Sequence, residues 1–447
     1  MSAARVATQF AGHGFDPSEA AARASLVDRA AAALRQRTRV SPAWAWFVPG
    51  RIEVVGKHTD YAGGRSLVAA VPRGFAVVAS PRADRTVTVA DAVSDDHVEI
   101  DLAAPPSSRA RGWANYVSVV AHRLAANFAG ASLGASIALA SDLPRAAGLS
   151  SSSALVVAVA LALIRRGRLD AREDWRRTIT DRLALAGYLG AIESGSTFGP
   201  FPGAPGVGTH GGSEDHTAIV NARAGILSAY AYVPVRHLAD VPLPPAWRFI
   251  VMTSGVLADK SGPVRDRYNR ASLSCQALRD LYHARTGRSL ATLAAVLESA
   301  PRAGEDLRRW LHEDAPSPSD ADALTRRLTH FERENDRVAR MLDAIGRADE
   351  AAAGELAAAS QRDAAELLGN QIEETNRLVS FAIGAGAFAA TSFGAGFGGS
   401  VWALAHAGAA ARVAGTWRRR YLDATRDVRD VEWFIATPSP GTIELTT

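Results

Sequence analysis

The sequence predicts an α+β protein built as two domains, and three observations carry that reading. The chain has 447 residues, more than one compact core usually serves. Strand-like and helix-like segments mix without a steady βαβ rhythm, which argues against a doubly wound sheet and for α+β layers. A small-residue loop joins a strand to a long apolar helix, Leu143-Pro144-Arg145-Ala146-Ala147-Gly148-Leu149-Ser150-Ser151-Ser152-Ser153-Ala154. That loop lacks the G-x-G-x-x-G of a dinucleotide site and the Gly-Lys-Ser/Thr ending of a P-loop.

The elements follow in order. Asp16-Pro17 is a helix start, a capping residue before a first-turn proline, and the helix should run to about Arg37. Phe47–Val55, Leu67–Val71, Gly74–Ser80 and Thr86–Val89 read as strands. Trp113 opens a helix that reaches about Phe128, and Ala135–Ser141 is the strand entering the loop. Val156–Ile164 continues as helix, and Arg176–Glu193 forms another. Gly195–Gly212 is a loop long for a compact domain and is expected to be functional, mobile or both. His216–Asn221 reads as the start of a strand. The proline-rich Val241–Pro245 is the best linker signal and sets the expected domains at 1–240 and 241–447. Beyond it come a strand at Arg248–Thr253, amphipathic helices from Val264 to Ala385, and strands near Ser400–Ala405 and Val431–Thr437.

Bulk chemistry narrows the function classes. A formal charge of +4 is small for this length and gives no sign of a nucleic-acid partner. The longest apolar run, Ala154–Ile164, is too short to span a bilayer, so no membrane partner is expected. The single cysteine, Cys275, allows no intramolecular disulfide and reads as a buried hydrophobe. Together with the lack of a signal-like start, this sets the expected compartment as the cytoplasm. Only two cations are lysine, Lys57 and Lys260. A lysine that persists in an arginine-rich chain invites a reading as a point charge with a tunable pKa.

Three glycine-containing segments carry the chemistry. The first, Pro49-Gly50-Arg51-Ile52-Glu53-Val54-Val55-Gly56-Lys57-His58-Thr59-Asp60-Tyr61, packs histidine, aspartate, lysine and arginine closely enough to hydrogen-bond a polyhydroxy substrate. The second is the loop above, whose backbone N–H groups at a helix N-terminus suit a polyphosphate. The third is Ser392-Phe393-Gly394-Ala395-Gly396-Phe397-Gly398-Gly399-Ser400.

These segments, in this order, resemble the GHMP small-molecule kinases, and specifically the galactokinase branch. The first is similar to the signature G-R-x-N-x-I-G-E-H-x-D-Y, the second to the nucleotide loop P-x-x-x-G-L-S-S-S, and the third to the C-terminal glycine motif. Trp113-Ala114-Asn115-Tyr116-Val117 matches a further galactokinase stretch. The likeness spans about residues 25 to 410. It implies a ribosomal-protein-S5-like N-terminal domain, a ferredoxin-like C-terminal domain, and phosphorylation of a sugar by ATP with Mg²⁺, at the anomeric hydroxyl. Galactose is the default substrate, and the chain is expected as a monomer or homodimer.

The resemblance also implies roles. Asp215, in Gly212-Ser213-Glu214-Asp215-His216, matches the catalytic aspartate of G-I-M-D-Q, with Glu214 in place of methionine and His216 in place of glutamine. Arg51 matches the arginine that stabilises the alkoxide and the transferring phosphoryl group. Ser152, or a neighbouring serine, and Glu193 match the Mg²⁺ positions. Arg145, Gly148, Leu149 and Ser150 to Ser153 should cradle the phosphates, and Trp113 either stacks near the adenine or packs in the core. His58, Asp60, Tyr61 and Gly212 match sugar contacts. Lys57 replaces the signature glutamate, Glu53 replaces its asparagine, and Gly262 replaces a sugar-contacting tyrosine. Two readings of Lys57 stand. It meets the carboxylate of a uronic acid, or it pairs with Glu53 or Glu214 inside the motif. Arabinose, a non-sugar substrate and a catalytically silent sugar sensor are the remaining alternatives.

Overall fold

The computed structural model describes residues 2–106, 111–144, 147–258, 262–314, 317–425 and 428–447. Two helices, α1 (Ala3–Gly12) and α2 (Pro17–Thr38), precede the first sheet. Asp16 caps α2 as expected, and Glu19 reaches back to the Asp16 N–H to complete a capping box. Next come β1 (Trp44–Val55), β2 (Arg65–Pro81), β3 (Thr86–Asp91), β4 (His97–Asp101), α3 (Trp113–Asn127) and β5 (Ala135–Ser141). They are followed by α4 (Ser151–Gly167), α5 (Glu173–Thr178), α6 (Arg182–Ser194), α7 (Glu214–Asn221), β6 (Ile226–Ala231) and β7 (Arg236–Pro242). The second half holds β8 (Trp247–Thr253), α8 (Gly262–Thr286), α9 (Leu293–Glu298), α10 (Ala303–Asp314), α11 (Pro318–Gly346), α12 (Glu350–Asp363) and α13 (Glu373–Gly384). It ends with β9 (Ala389–Phe393), β10 (Ser400–His406), α14 (Ala410–Ala424), β11 (Trp433–Ala436) and β12 (Ile443–Leu445).

The first sheet runs β12-β1-β2-β5-β3-β4, with β6 joined to β2 and β7 to β6, and among the described residues only the β3–β5 pair is parallel. The two strands expected at 67–71 and 74–80 are one long strand. Its early half pairs with β6 and its late half with β5. The second sheet, β11-β8-β10-β9, is antiparallel throughout. The main core is continuous between the lobes: Val54 and Leu155 belong to the same buried cluster as Phe249, Met341 and Trp402.

Two further expectations about elements change. The segment at His216–Asn221 is the body of α7 and not a strand. A short apolar run fits either period, and Glu214 and Asp215 in the first turn favour a helix N-terminus. The helix expected over 176–193 is broken into α5 and α6, with Asp181 capping the second. The boundary at 240/241 falls inside β7, an edge strand where prolines are tolerated. The last strand, β12, returns to pair with β1. We therefore propose that the first lobe takes in β7 and β12 and the second runs from β8 to β11. Among the described residues, no helix is long and apolar enough to cross a membrane.

Candidate active site

Arg51 sits on β1 with its side chain 4% exposed. Its Nε and Nη2 both lie 2.7 Å from Asp215 Oδ1, and its Nη1 donates to the Gly148 carbonyl at 2.5 Å. One guanidinium thus ties the start of α7 to the loop before α4. Ser153 Oγ donates to the other Asp215 oxygen at 3.3 Å. Burial works against the charge on Arg51, but Asp215, Glu214 and Glu53 outweigh it and hold the guanidinium above the usual arginine range.

The loop before α4 is shaped for an anion. Gly148 and Ser150 are left-handed, with φ of 75° and 59°. The Leu149 carbonyl accepts from Arg51 N, and the Ala147 carbonyl accepts from Ser400 Oγ. No side chain caps the first turn of α4, and Ser150 Oγ is buried without a hydrogen-bond partner among the described residues. Free first-turn N–H groups and an orphaned hydroxyl fit a bound polyphosphate. Arg145 lies outside the described residues, as does Lys260. Trp113 opens α3 and packs, half-buried, against the main core, which favours its packing role.

Arg51, Asp215 and Ser153 share one open cleft with Glu53, His58, Asp60, Tyr61, Glu193, Gly212 and Glu214. Asp60 Oδ2 accepts from the Glu214 N–H at 3.1 Å. Gly212 packs so closely there that a Cβ would stand 2.3 Å from Asp60 Oδ2. Glu193, near the end of α6, is buried with Oε2 3.0 Å from His216 Nε2. Ser153 lines the cleft beside Glu193, whereas Ser152, one residue earlier and half-buried, does not. A carboxylate and a hydroxyl in one cleft are suitable oxygen ligands for Mg²⁺.

Lys57 corrects the first reading made of it. It is 1% exposed, does not line the cleft, and its Nζ donates to Thr391 Oγ1 on β9 at 2.5 Å. Thr391 in turn donates to Gln361. Burial pulls the Lys57 ammonium down to about 8, against the pull of Glu334 and Glu53. Its backbone is clamped too: Glu334 of α11 accepts from the Gly56 and Lys57 N–H groups at 2.8 and 3.1 Å and pairs with Arg337. Arg327 donates to the His58 carbonyl and the Tyr61 hydroxyl. The second lobe therefore holds the sugar-signature loop.

Sequence reasoning missed Tyr268. It projects from α8 into the cleft, with its ring 5.2 Å from that of His58. It lies on a helix beyond Gly262, at a position that no signature spacing marks. Also missed was the anchoring of the 195–212 loop. Phe201 is buried in the main core, Arg123 binds the Ser196 carbonyl, and Asn269 of α8 holds both Gly208 and His210.

Comparison with known proteins decides the family. A profile of the galactokinase galactose-binding signature matches residues 32–81, and profiles of the GHMP kinase N-terminal and C-terminal domains match 115–192 and 341–423. A galactokinase of Mycobacterium bovis (strain BCG / Pasteur 1173P2) is 30% identical over 402 residues, covering 88% of this chain and 98% of that protein. The chain belongs to the galactokinase-like branch of the GHMP kinases. A galactokinase of Roseiflexus sp. (strain RS-1) is also 30% identical, over 84% of this chain and 87% of its own. The fold matches the crystal structure of Lactococcus lactis galactokinase complexed with galactose, at a TM-score of 0.70 and 21% identity, over 90% of this chain and 95% of the other. Membership of this branch makes the protein a sugar kinase.

Proposed function

We propose that this kinase transfers the γ-phosphoryl group of ATP to the anomeric hydroxyl of a galactose-configured monosaccharide. The observation that carries the reading is the Arg51–Asp215 pair, set between the phosphate-type loop and the sugar-signature residues. Phosphoryl transfer asks mainly for positioning and charge stabilisation. Asp215 accepts the proton of the attacking hydroxyl. Arg51 keeps Asp215 ionised and stabilises charge on the attacking oxygen and the transferring group. His58, Asp60, Tyr61 and the Gly212 backbone orient the sugar, with Tyr268 as a further wall. Glu193 and a serine of the 150–153 run would hold Mg²⁺, which would neutralise phosphate charge. Lys57 gives a uronate no cation in the cleft, so a galactose-type hexose is the better supported substrate.

ADP release with Mg-ATP over a panel of galactose, glucose, arabinose and galacturonate tests this, with the product identified by phosphorus NMR. Galactose should yield a 1-phosphate, and Asp215→Asn should lower kcat by about 10²–10⁴-fold without unfolding the protein. Absence of ADP release with any sugar, from protein that binds ATP, would replace the kinase reading with that of a silent sensor.

A further inference from the structure

Two carboxylates in the cleft are this chain's own: Glu53 stands where the signature has asparagine, and Glu214 where the catalytic segment has methionine. Both are buried, at 3% and 4% exposure, and both line the cleft. Asp60, Glu193 and Asp215 line it as well, so five carboxylates face it, and Arg51 is the only lysine or arginine among the described lining residues. The Arg51 donors are already committed to Asp215 and the Gly148 carbonyl. The Glu214 carboxylate receives no hydrogen bond among the described residues; Arg51 Nε is 3.9 Å away, beyond hydrogen-bonding range. Glu53 has one donor, the Gly394 N–H at 2.8 Å on Oε2, and its other oxygen has none among the described residues.

A buried carboxylate without donors is costly, and a ligand that brings donors relieves that cost. A hydroxyl brings one donor and no charge. A protonated primary amine brings three donors and a positive charge. A sugar carboxylate brings a like charge and no donor, which is the worst match. Burial also pushes both carboxyls upward, as expected where the cleft holds too little positive charge.

Resting on the sugar-kinase reading above, we propose that Glu53 and Glu214 are specificity-determining residues that select a hexosamine over the neutral hexose and against the hexuronate. The protonated amine sits between Glu53 and Glu214 and supplies the donors that their carboxylates lack. The hydroxyl to be phosphorylated remains with Asp215.

The test compares kcat/KM for galactosamine, galactose and galacturonate with saturating Mg-ATP. Binding of the same three sugars to the full chain without nucleotide is followed by calorimetry. The expected order is galactosamine above galactose by about tenfold or more, a charge-assisted hydrogen bond being worth that much, with galacturonate lowest. Glu214→Gln and Glu53→Gln keep the side-chain shape and remove the charge, so each should reduce the galactosamine-to-galactose ratio, in turnover and in binding. A wild-type enzyme that uses galactose as well as or better than galactosamine overturns the proposal and leaves the kinase reading intact. A ratio unmoved in both variants also overturns it. Turnover of no sugar overturns the kinase reading and this proposal together.

Discussion

Replacing Lys57 separates a structural lysine from a substrate-reading one. Lys57 is 1% exposed, and among the described residues its ammonium has a single hydroxyl acceptor, Thr391 Oγ1. Burial lowers it from the ordinary 10.5 to about 8, which corresponds to roughly 3 kcal/mol of disfavour for the charged form in the folded state. Lys57→Met removes that cost, and Glu334 keeps two backbone N–H donors and Arg337. Stability at pH 7 should therefore stay within about 1 kcal/mol of wild type or rise, as replaced buried charges often allow. Lys57→Glu restores the signature residue but puts a carboxylate beside Glu334, Glu53 and Asp363. It should cost about 3–5 kcal/mol, the range for an uncompensated buried charge. The sign in pH follows: between about 8 and 10.5 the unfolded lysine holds a proton that the folded one has lost. Wild-type stability should thus gain as pH climbs through that window, and Lys57→Met should lack the gain. Urea unfolding followed by tryptophan fluorescence measures both effects. The ratio of galacturonate to galactose turnover should be the same in Lys57→Met as in wild type. A stable Lys57→Glu protein whose ratio shifts by about tenfold or more would refute the reasoning, because it would place the side chain in the cleft.

Glu53 gives the opposite pH signature. Burial raises it from 4.5 to about 7, so the wild type should lose stability as pH rises across that interval, by about 3 kcal/mol at most. Glu53→Gln, which keeps an acceptor for the Gly394 N–H, should show a flat profile there in the same unfolding assay. Gly148→Ala forces a side chain into φ +75° with its Cβ 3.2 Å from the Phe393 carbonyl. It should raise KM for ATP more than KM for sugar, with a strain cost of about 1–2 kcal/mol. Gly212→Ala drives a Cβ to 2.3 Å from Asp60 Oδ2 and 2.7 Å from Tyr61 N. Steady-state kinetics should show the converse, with sugar KM raised and ATP KM little changed.

Much of this was legible in the sequence because it rests on local rules. The Asp16–Glu19 capping box, the strand feeding the loop at 143–153 and the three glycine segments are all nearest-neighbour chemistry. The Arg51–Asp215 pair, 164 residues apart in sequence, was reached only through the resemblance. Lys57 was misread for a physical reason. It follows Gly56 at φ +101° and precedes His58 at φ +57°, so strand alternation stops there and no periodicity tells which way the side chain leaves. Its partners, Glu334 and Thr391, lie 277 and 334 residues away. Tyr268 and β12 were hidden for the same reason: each acquires its role from an element that only the folded chain brings near.

The pairing of β12 with β1 has a consequence for how the molecule is made. Ala45, Trp46 and Phe47 find their neighbours at Leu445, Glu444 and Ile443, so the outer edge of the first sheet stays open until those distant residues have been made. Loop-closure entropy makes such a late, distant pairing slow. On the ribosome the amino-terminal half must wait, with an unpaired strand edge, for partners that leave the exit tunnel only after the second lobe. A chain truncated before Ile443 would therefore injure the amino-terminal half first, although the missing residues lie beyond the second lobe in the chain.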